Sequence, residues 1–214
     1  MINAANYRQY PAVSNSDLSW VKSLFQPKEE IGDKIKAYAF GNLFDAIITE
    51  PHRVNYFKFT VDGQRHSEED FAICCEMKKQ LEKDRFWQAV KGQCNFQHIS
   101  HVPEFQIQHD EVKFALPAKC KWDFKHRLLP MGGDLKTTSA GTQKQFIEAC
   151  HNFDYFRSRA WYMDLEGTNE DMLIGVSKVN MKVFKLPIRR GDELYNLGKQ
   201  QYQELAFKYW YLFV

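Results

Sequence analysis

Asp134 and Lys136 lie two residues apart in a segment, residues 132–138, whose sequence predicts a β-strand. Side chains two positions apart on a strand project to the same face, so Leu135 between them is expected to point into the core. A carboxylate beside an ammonium group can hold a hard cation and can orient or help to deprotonate a water molecule. Such pairs also arise by chance, and the alternative interpretation is a salt bridge on an exposed strand.

Asp123 lies on the preceding predicted strand, residues 119–124, one hairpin before Asp134. Lys121 and Lys125 flank it on the same face. Two adjacent strands would therefore bring two carboxylates and a lysine to one place. Hard oxygen ligands of this kind suit Mg²⁺ or Mn²⁺ rather than zinc. The alternative interpretation is a charged hairpin face.

Asp45 interrupts an otherwise apolar helical run, residues 43–48. A buried carboxylate without a partner is strongly unfavourable, so its charge needs compensation within the fold. Gly41 lies one turn earlier on the same helix face and leaves space beside it. We therefore expect Asp45 to be a third metal ligand, and a structural ion pair is the alternative.

The elements that position these residues follow from periodicity and from capping signals. Helices are predicted over residues 14–25, 33–48, 67–91, 142–150, 154–166 and 192–211. Strands are predicted over residues 105–108, 112–116, 119–124, 132–138, 172–177 and 183–186. Helices, then a meander of strands, then alternating helix and strand predict an α/β or α+β sandwich. We find no repeat or linker and expect a single domain over residues 1–214.

Bulk composition places few limits on function. The 214 residues carry a formal net charge of only +2, so any nucleic-acid contact must rely on local positive charge. The start of the sequence lacks the features of a signal peptide and no segment is apolar enough for a membrane span, which predicts a cytoplasmic protein. The cysteines form no CxxC pair, so we expect buried thiols rather than a zinc or iron–sulfur site: Cys74, Cys75, Cys94, Cys120 and Cys150.

Four short motifs occur in an order that is more specific than any one of them. They are Gly41-Asn42-Leu43-Phe44-Asp45-Ala46, Lys121-Trp122-Asp123, Gly133-Asp134-Leu135-Lys136-Thr137-Thr138, and Tyr155 followed by Ala160-Trp161-Tyr162-Met163-Asp164. In this order the chain resembles the RecB-like branch of the PD-(D/E)XK nucleases, and within it the exodeoxyribonuclease VIII (RecE-type) nuclease domains and their phage relatives. Residues 10–18 fit the opening of that family, and the resemblance extends from Tyr7 to about Asp164.

The resemblance implies a restriction-endonuclease-like core, with a central mixed sheet flanked by helices. It also implies Mg²⁺-dependent hydrolysis of double-stranded DNA from its ends. Asp123, Asp134 and Asp45 would hold Mg²⁺ or Mn²⁺, with the Leu135 carbonyl as an additional ligand. Lys136 would orient the attacking water and offset the charge that develops in the transition state.

The resemblance further suggests which residues contact DNA, and two positions depart from the family pattern. Asp45 stands where histidine is common, and Ser158 stands where glutamine is usual. Arginines on an exposed helix are often only solvated, and serines at a helix start often only cap it. The expected DNA contacts are Tyr162, Ser158, Arg157, Arg159, Ser14 and Ser16.

Relatives of this type act in phage or prophage recombination, where they resect DNA ends for a single-strand annealing protein. Some form rings, so the aromatic segment at residues 209–213 is a candidate surface for a homo-oligomer. The alternatives are an endonuclease or nickase on the same fold and a catalytically inactive DNA-binding relative. An iron–sulfur nuclease is disfavoured because no cysteine follows Cys150.

Overall fold

The structure is a computed structural model and describes residues 2–27 and 34–214. Besides seven α-helices, the described residues form two short 3₁₀ turns, Pro51–Arg53 and Lys91–Gln93. The helices are α1 (Asn15–Phe25), α2 (Lys34–Thr49), α3 (Glu68–Glu82), α4 (Arg85–Val90), α5 (Gln143–Asn152), α6 (Tyr155–Glu166) and α7 (Glu193–Phe213). The strands are β1 (Val54–Asn55), β2 (Thr60–Val61), β3 (Gln64–Arg65), β4 (Cys94–His109), β5 (Val112–His126), β6 (Met131–Thr138), β7 (Glu170–Ser177) and β8 (Val183–Arg189).

The main sheet has five strands in the order β4-β5-β6-β7-β8. Neighbours are antiparallel except β6 and β7, which are parallel and are connected by α5 and α6. A parallel pair requires such a crossover, because the chain must return to the same end of the sheet. This architecture confirms the predicted α+β class, a mixed central sheet flanked by helices.

Two buried apolar clusters hold the helices on the sheet. The first joins α1, α5, α6 and α7 to β4 and β5, and Trp122 and Trp161 are fully buried within it. The second joins α2, α3 and α4 to β6 and β7 and includes Phe44, Phe124 and Leu135. Leu135 is therefore buried, as its position between Asp134 and Lys136 predicted.

The segments predicted as two strands, residues 112–116 and 119–124, form the single strand β5. Pro117 interrupts the apolar pattern but not the strand. The register of β4 shifts between Val102 and Phe105, opposite this proline, and the Pro117 carbonyl accepts a hydrogen bond of 2.7 Å from the backbone of Val13. A proline is tolerated at such an irregularity because it has no amide hydrogen to contribute to the ladder.

The helix predicted over residues 67–91 is two helices, α3 and α4. Asp84 begins the second, because its side chain accepts a hydrogen bond from the backbone of Trp87 at 3.1 Å. It also forms an ion pair with Lys185. The predicted start of α2 at Asp33 lies outside the described residues. The small sheet of β1, β2 and β3 was not predicted, because two-residue strands leave no periodic signal.

All five cysteines are free thiols, and all but Cys75 are buried, as expected. Among the described helices, none is both long enough and apolar enough to cross a membrane. At the carboxyl end of α7, Tyr211 and Phe213 are exposed while Trp210 packs partly against the first cluster. The homo-oligomer surface stays a prediction.

Candidate active site

Asp134 and Lys136 project together from β6. The Lys136 ammonium forms an ion pair with Oδ2 of Asp134, whose side chain is only 8% exposed. The alternative of a salt bridge on an exposed strand is therefore wrong. Burial raises the pKa of Asp134, but Arg159 and Lys136 outweigh it and hold the pKa below its usual range. Burial likewise lowers the pKa of Lys136, but Asp134 and Asp123 raise it overall, so the ammonium stays charged.

Asp123 lies where β5 and β6 separate. The two strands pair only through Phe124 with Gly133 and through Lys125 with Gly132. One position further, Oδ2 of Asp123 accepts a hydrogen bond of 2.7 Å from the backbone amide of Leu135. A side chain thus replaces the backbone ladder and places the Asp123 carboxylate beside Asp134.

The two glycines of this hairpin allow the close approach of β5 and β6. The Trp122 ring occupies the space that a side chain at Gly132 would need, and the Phe124 ring does the same at Gly133. Any larger residue at either position would displace a buried ring and, with it, the strand that carries Asp123.

The fold favours the neutral form of the Asp123 carboxyl. Burial raises its pKa well above the usual range, and the nearby charges of Asp134 and Asp45 raise it further. Lys136 and the Leu135 amide act in the opposite direction. Two adjacent carboxylates in a buried place resist joint ionisation unless a cation balances them.

Arg159 contacts Asp134 and is only 1% exposed. Its expected position on an exposed face of α6 is therefore wrong. One guanidinium nitrogen lies 3.3 Å from Oδ1 of Asp134, and another lies 3.5 Å from Oδ2 of Asp171. The guanidinium carbon lies 4.1 Å from the centroid of the Tyr162 ring. Arg159 therefore joins the β6 carboxylate to a second carboxylate on β7.

Asp171 was not predicted as a site residue. It stands near the start of β7, where an acidic residue looks like a strand end in contact with solvent, yet the parallel neighbour β6 buries it. Burial raises the pKa of Asp171 from 3.8 to about 7, with Arg159 opposing the shift and Asp134 adding to it. Neither carboxylate oxygen accepts a hydrogen bond from the described residues.

The Asp171→Asn variant is expected to gain stability relative to the parent as pH rises. Folded Asp171 keeps its proton to about pH 7, whereas an ordinary carboxyl has a pKa of 3.8, so the parent loses stability across this interval. Asparagine does not titrate and removes that loss. Urea unfolding at pH 5 and pH 8 measures the difference between the two proteins.

The matched control is Asp110→Asn, because the Asp110 side chain is 87% exposed and its variant should track the parent at both pH values. A difference between Asp171→Asn and the parent that does not change with pH would contradict the burial argument.

Asp45 faces the same region from α2. Gln97 donates through Nε2 to both of its carboxylate oxygens, at 3.2 and 3.0 Å, and the Thr49 hydroxyl donates to Oδ1 at 3.2 Å. Within residues 2–27 and 34–214 no ion pair involves Asp45, so the structural ion pair considered above is not observed. Burial raises the pKa of Asp45, opposed by Lys136 and by the Thr49 hydrogen bond.

Gln97 is a second residue that was not predicted as a site residue. Its neighbours Phe96 and His98 pair with Phe124 and Trp122, so Gln97 lies opposite Asp123. Its φ of 51° is in the left-handed region, which residues with a Cβ rarely adopt. Strained backbone of this kind persists where the surroundings enforce it and is concentrated at functional sites.

The site carries more negative than positive charge. Four carboxylates, those of Asp45, Asp123, Asp134 and Asp171, surround the cations Lys136 and Arg159. When all are ionised, two negative charges are not balanced within this group. In the described part of the chain, however, no three His, Cys, Asp or Glu side chains are already arranged as a ligand set. Asp123 and Asp134 are adjacent, whereas Asp45 is held by Gln97 and Thr49.

Arg157 does not present its guanidinium to a DNA backbone. It is 2% exposed, and its nitrogens donate to Asn15 Oδ1 at 3.0 Å and to Ser19 Oγ at 2.6 Å. It also lies 3.4 Å from Asp154. The expectation of an exposed, phosphate-binding arginine is corrected here, because α1 covers this face of α6 and uses the donors.

The other candidate DNA contacts occupy different surroundings. The Ser158 hydroxyl donates to the Tyr155 carbonyl at 2.8 Å and accepts from Arg159 Nε at 3.2 Å. Tyr162 is half-buried and packs on Arg159. Ser14 begins α1, with its amide and hydroxyl both donating to Asp17 at 2.7 Å, which supports the capping alternative. Ser16 is exposed.

Comparisons with known proteins agree with the architecture. A crystal structure named "Putative exonuclease" from Eubacterium rectale aligns with 97% of this chain and 85% of its own, with a TM-score of 0.63 and 13% identity. A phage related exonuclease from Haemophilus somnus aligns over 95% of both chains at 14% identity, but its TM-score of 0.42 supports no argument. No protein-family model and no curated protein matches the chain. At 13% identity, the similarity to the Eubacterium rectale structure shows a shared fold.

Proposed function

We propose that this chain is a metal-dependent exodeoxyribonuclease of the PD-(D/E)XK type, which hydrolyses phosphodiester bonds of double-stranded DNA from its ends. The observation that carries the proposal is the arrangement of buried Asp134 with half-buried Asp123 and Lys136 where β5 and β6 separate. The fold shared with a protein named as an exonuclease is consistent with it. Partly desolvated charges at this density destabilise a fold, and such groups are concentrated at functional sites.

The residues present fit a hard divalent cation such as Mg²⁺ or Mn²⁺. Asp123 and Asp134 would supply carboxylate oxygens, and the Leu135 carbonyl directly follows Asp134 in sequence. A cation would balance the excess negative charge of the group. Asp45 would join them by exchanging its hydrogen bonds with Gln97 and Thr49 for the metal. The metal would polarise the phosphate and lower the pKa of bound water.

The protein side chains have distinct roles in the proposed reaction. The oxygen of water bonds to phosphorus as one P–O bond breaks, and a proton from that water ends on the leaving oxygen. The products are a phosphate monoester and a hydroxyl group. Lys136 stays protonated, so it orients the water and offsets charge on the phosphate rather than accepting a proton. Arg159 is a positioning residue, because it contacts the Asp134 carboxylate and keeps it ionised.

The proposed function is tested with linear duplex DNA labelled at one end, incubated with and without Mg²⁺. The expected result is stepwise shortening of the labelled strand only when Mg²⁺ is present. Nicking or linearisation of a closed circular duplex would instead identify an endonuclease or nickase. Binding without cleavage, with Mg²⁺ or Mn²⁺, would identify an inactive DNA-binding relative. A role in phage recombination together with an annealing protein extends the same proposal. That role requires cleavage to leave single-stranded overhangs.

The Asp45→Asn variant is expected to be at least as stable as the parent without metal. Burial raises the pKa of Asp45, so removal of its charge relieves a cost rather than breaking an ion pair. Added Mg²⁺ should raise the melting temperature of the variant less than that of the parent, because a ligand stabilises the state it binds by mass action. Thermal melting with and without Mg²⁺ measures both effects.

Asp45→His should recover part of the activity, and the exposed Asp110→Asn variant should show the full Mg²⁺ effect. A large loss of metal-free stability with an unchanged Mg²⁺ effect would show that Asp45 serves only as the hydrogen-bond partner of Gln97 and Thr49.

A further inference from the structure

Two aromatic rings stand side by side at the corner between α5 and α6. The rings of Phe153 and Tyr155 are nearly parallel, with centroids 5.7 Å apart and an interplanar angle of 24°. The Lys136 ammonium lies 5.4 Å from the centroid of the Tyr155 ring. The pair therefore extends outward from the residue that is proposed to orient the attacking water.

The residue between the rings fixes this arrangement. Asp154 has a φ of 55°, in the left-handed region that aspartate adopts more readily than most residues, and the two rings that flank it stack on each other. Lys22 donates to both oxygens of Asp154 at 2.8 Å, and Arg157 adds an ion pair at 3.4 Å. These contacts hold the residue between the two rings against α1 and α6.

Phe153 lies at the outer end and is 66% exposed, while Tyr155 is half-buried. Single exposed rings occur on most proteins. The Phe153 ring, however, stacks on the Tyr155 ring, and the Lys136 ammonium lies near the Tyr155 ring in turn. An aromatic face next to positive charge is the chemistry that binds a nucleobase and its phosphate.

We propose that Phe153 and Tyr155 form a stacking platform for an unpaired nucleobase of the strand that is cleaved. This inference rests on the proposed function and narrows the substrate: the strand would reach Lys136 with its terminal bases separated from the complement. Every base has a flat π face, so the platform would accept any sequence. Single-stranded and frayed ends would then bind better than fully paired ends.

The test measures the affinity of short single-stranded oligonucleotides by fluorescence anisotropy in EDTA, so that no cleavage occurs. One oligonucleotide is normal, and the other has the same backbone but lacks the bases of its terminal nucleotides. Phe153→Ala is expected to weaken binding of the normal oligonucleotide by at least about tenfold, which corresponds to the loss of one stacked base. It should leave binding of the abasic oligonucleotide unchanged.

Two further variants separate stacking from folding. Phe153→Leu keeps an apolar side chain and should show the same loss, whereas Phe153→Trp should bind as the parent does. The matched control is Phe57→Ala, because Phe57 is 97% exposed on the turn between β1 and β2. Its affinity for both oligonucleotides should equal that of the parent.

Equal weakening with both oligonucleotides, or no weakening with either, would overturn the platform. A parent that cleaves labelled DNA while Phe153→Ala binds normally would reject the platform and leave the nuclease proposal intact. A parent that neither binds nor cleaves DNA, with Mg²⁺ or without, would reject both proposals. Loss of self-association in Phe153→Ala without any change in DNA affinity would assign the rings to a protein contact.

Discussion

The Lys136→Ala variant is expected to turn over DNA at least about a hundredfold more slowly than the parent, the usual scale for a group that assists proton transfer or charge development. Lys136 contacts Asp134 directly and is the ammonium group nearest to the two adjacent carboxylates. Its removal also raises the pKa of Asp134, because one of the two cations that hold this carboxyl ionised is lost. Single-turnover cleavage of end-labelled duplex measures the effect.

Affinity for DNA should persist in this variant, since the substitution removes a single positive charge. Lys113→Ala is the matched control, because Lys113 is an exposed lysine on β5, within the same sheet. Its turnover should equal that of the parent. Full activity of Lys136→Ala would remove Lys136 from the reaction and leave the site with carboxylates alone.

The Arg159→Met variant is expected to lose about 3–5 kcal/mol of unfolding free energy, which is the usual cost of breaking a buried ion pair by removing one partner. Methionine has a similar length but leaves Asp134 and Asp171 without the cation that both contact. The Tyr162 ring also loses its guanidinium neighbour. Urea unfolding at neutral pH measures the change.

Asp171→Asn introduced together with Arg159→Met should restore part of the lost stability. Without Arg159 the buried Asp171 carboxyl must take up a proton at neutral pH, whereas asparagine is neutral without one. Arg189→Met is the control: Arg189 pairs with Glu170, but its side chain is 69% exposed, so only a small change is expected. Comparable losses in Arg159→Met and Arg189→Met would show that the buried pair contributes no more than a surface pair.

Local pattern was sufficient to predict the centre of the site. The two-residue spacing of Asp134 and Lys136 fixes their common face once residues 131–138 form a strand, and the hairpin brings Asp123 alongside. The same reasoning predicted the α/β or α+β class, because strand and helix periods are local properties of the sequence. The mixed sheet was implied by the family resemblance and not by these periods. This reasoning did not predict that the helix expected over residues 67–91 is divided in two, because a single residue, Asp84, begins the second helix.

Contacts between distant parts of the chain could not be predicted in this way. Arg159 and Asp171 meet only because β7 lies parallel to β6, and a single sequence does not specify which strands are neighbours. The contact of Gln97 with Asp45 depends on a left-handed backbone at a residue type that rarely adopts it. Arg157 was assigned to the surface because helical periodicity does not reveal which helix covers another.

The segment from the start of β6 to the end of β7, residues 131–177, contains four of the six charged residues of the site. They are Asp134, Lys136, Arg159 and Asp171. This placement has a consequence for partly folded states. A state in which only residues 131–177 are folded would already contain a counter-charge for each of these two carboxylates, so neither would have to be buried alone.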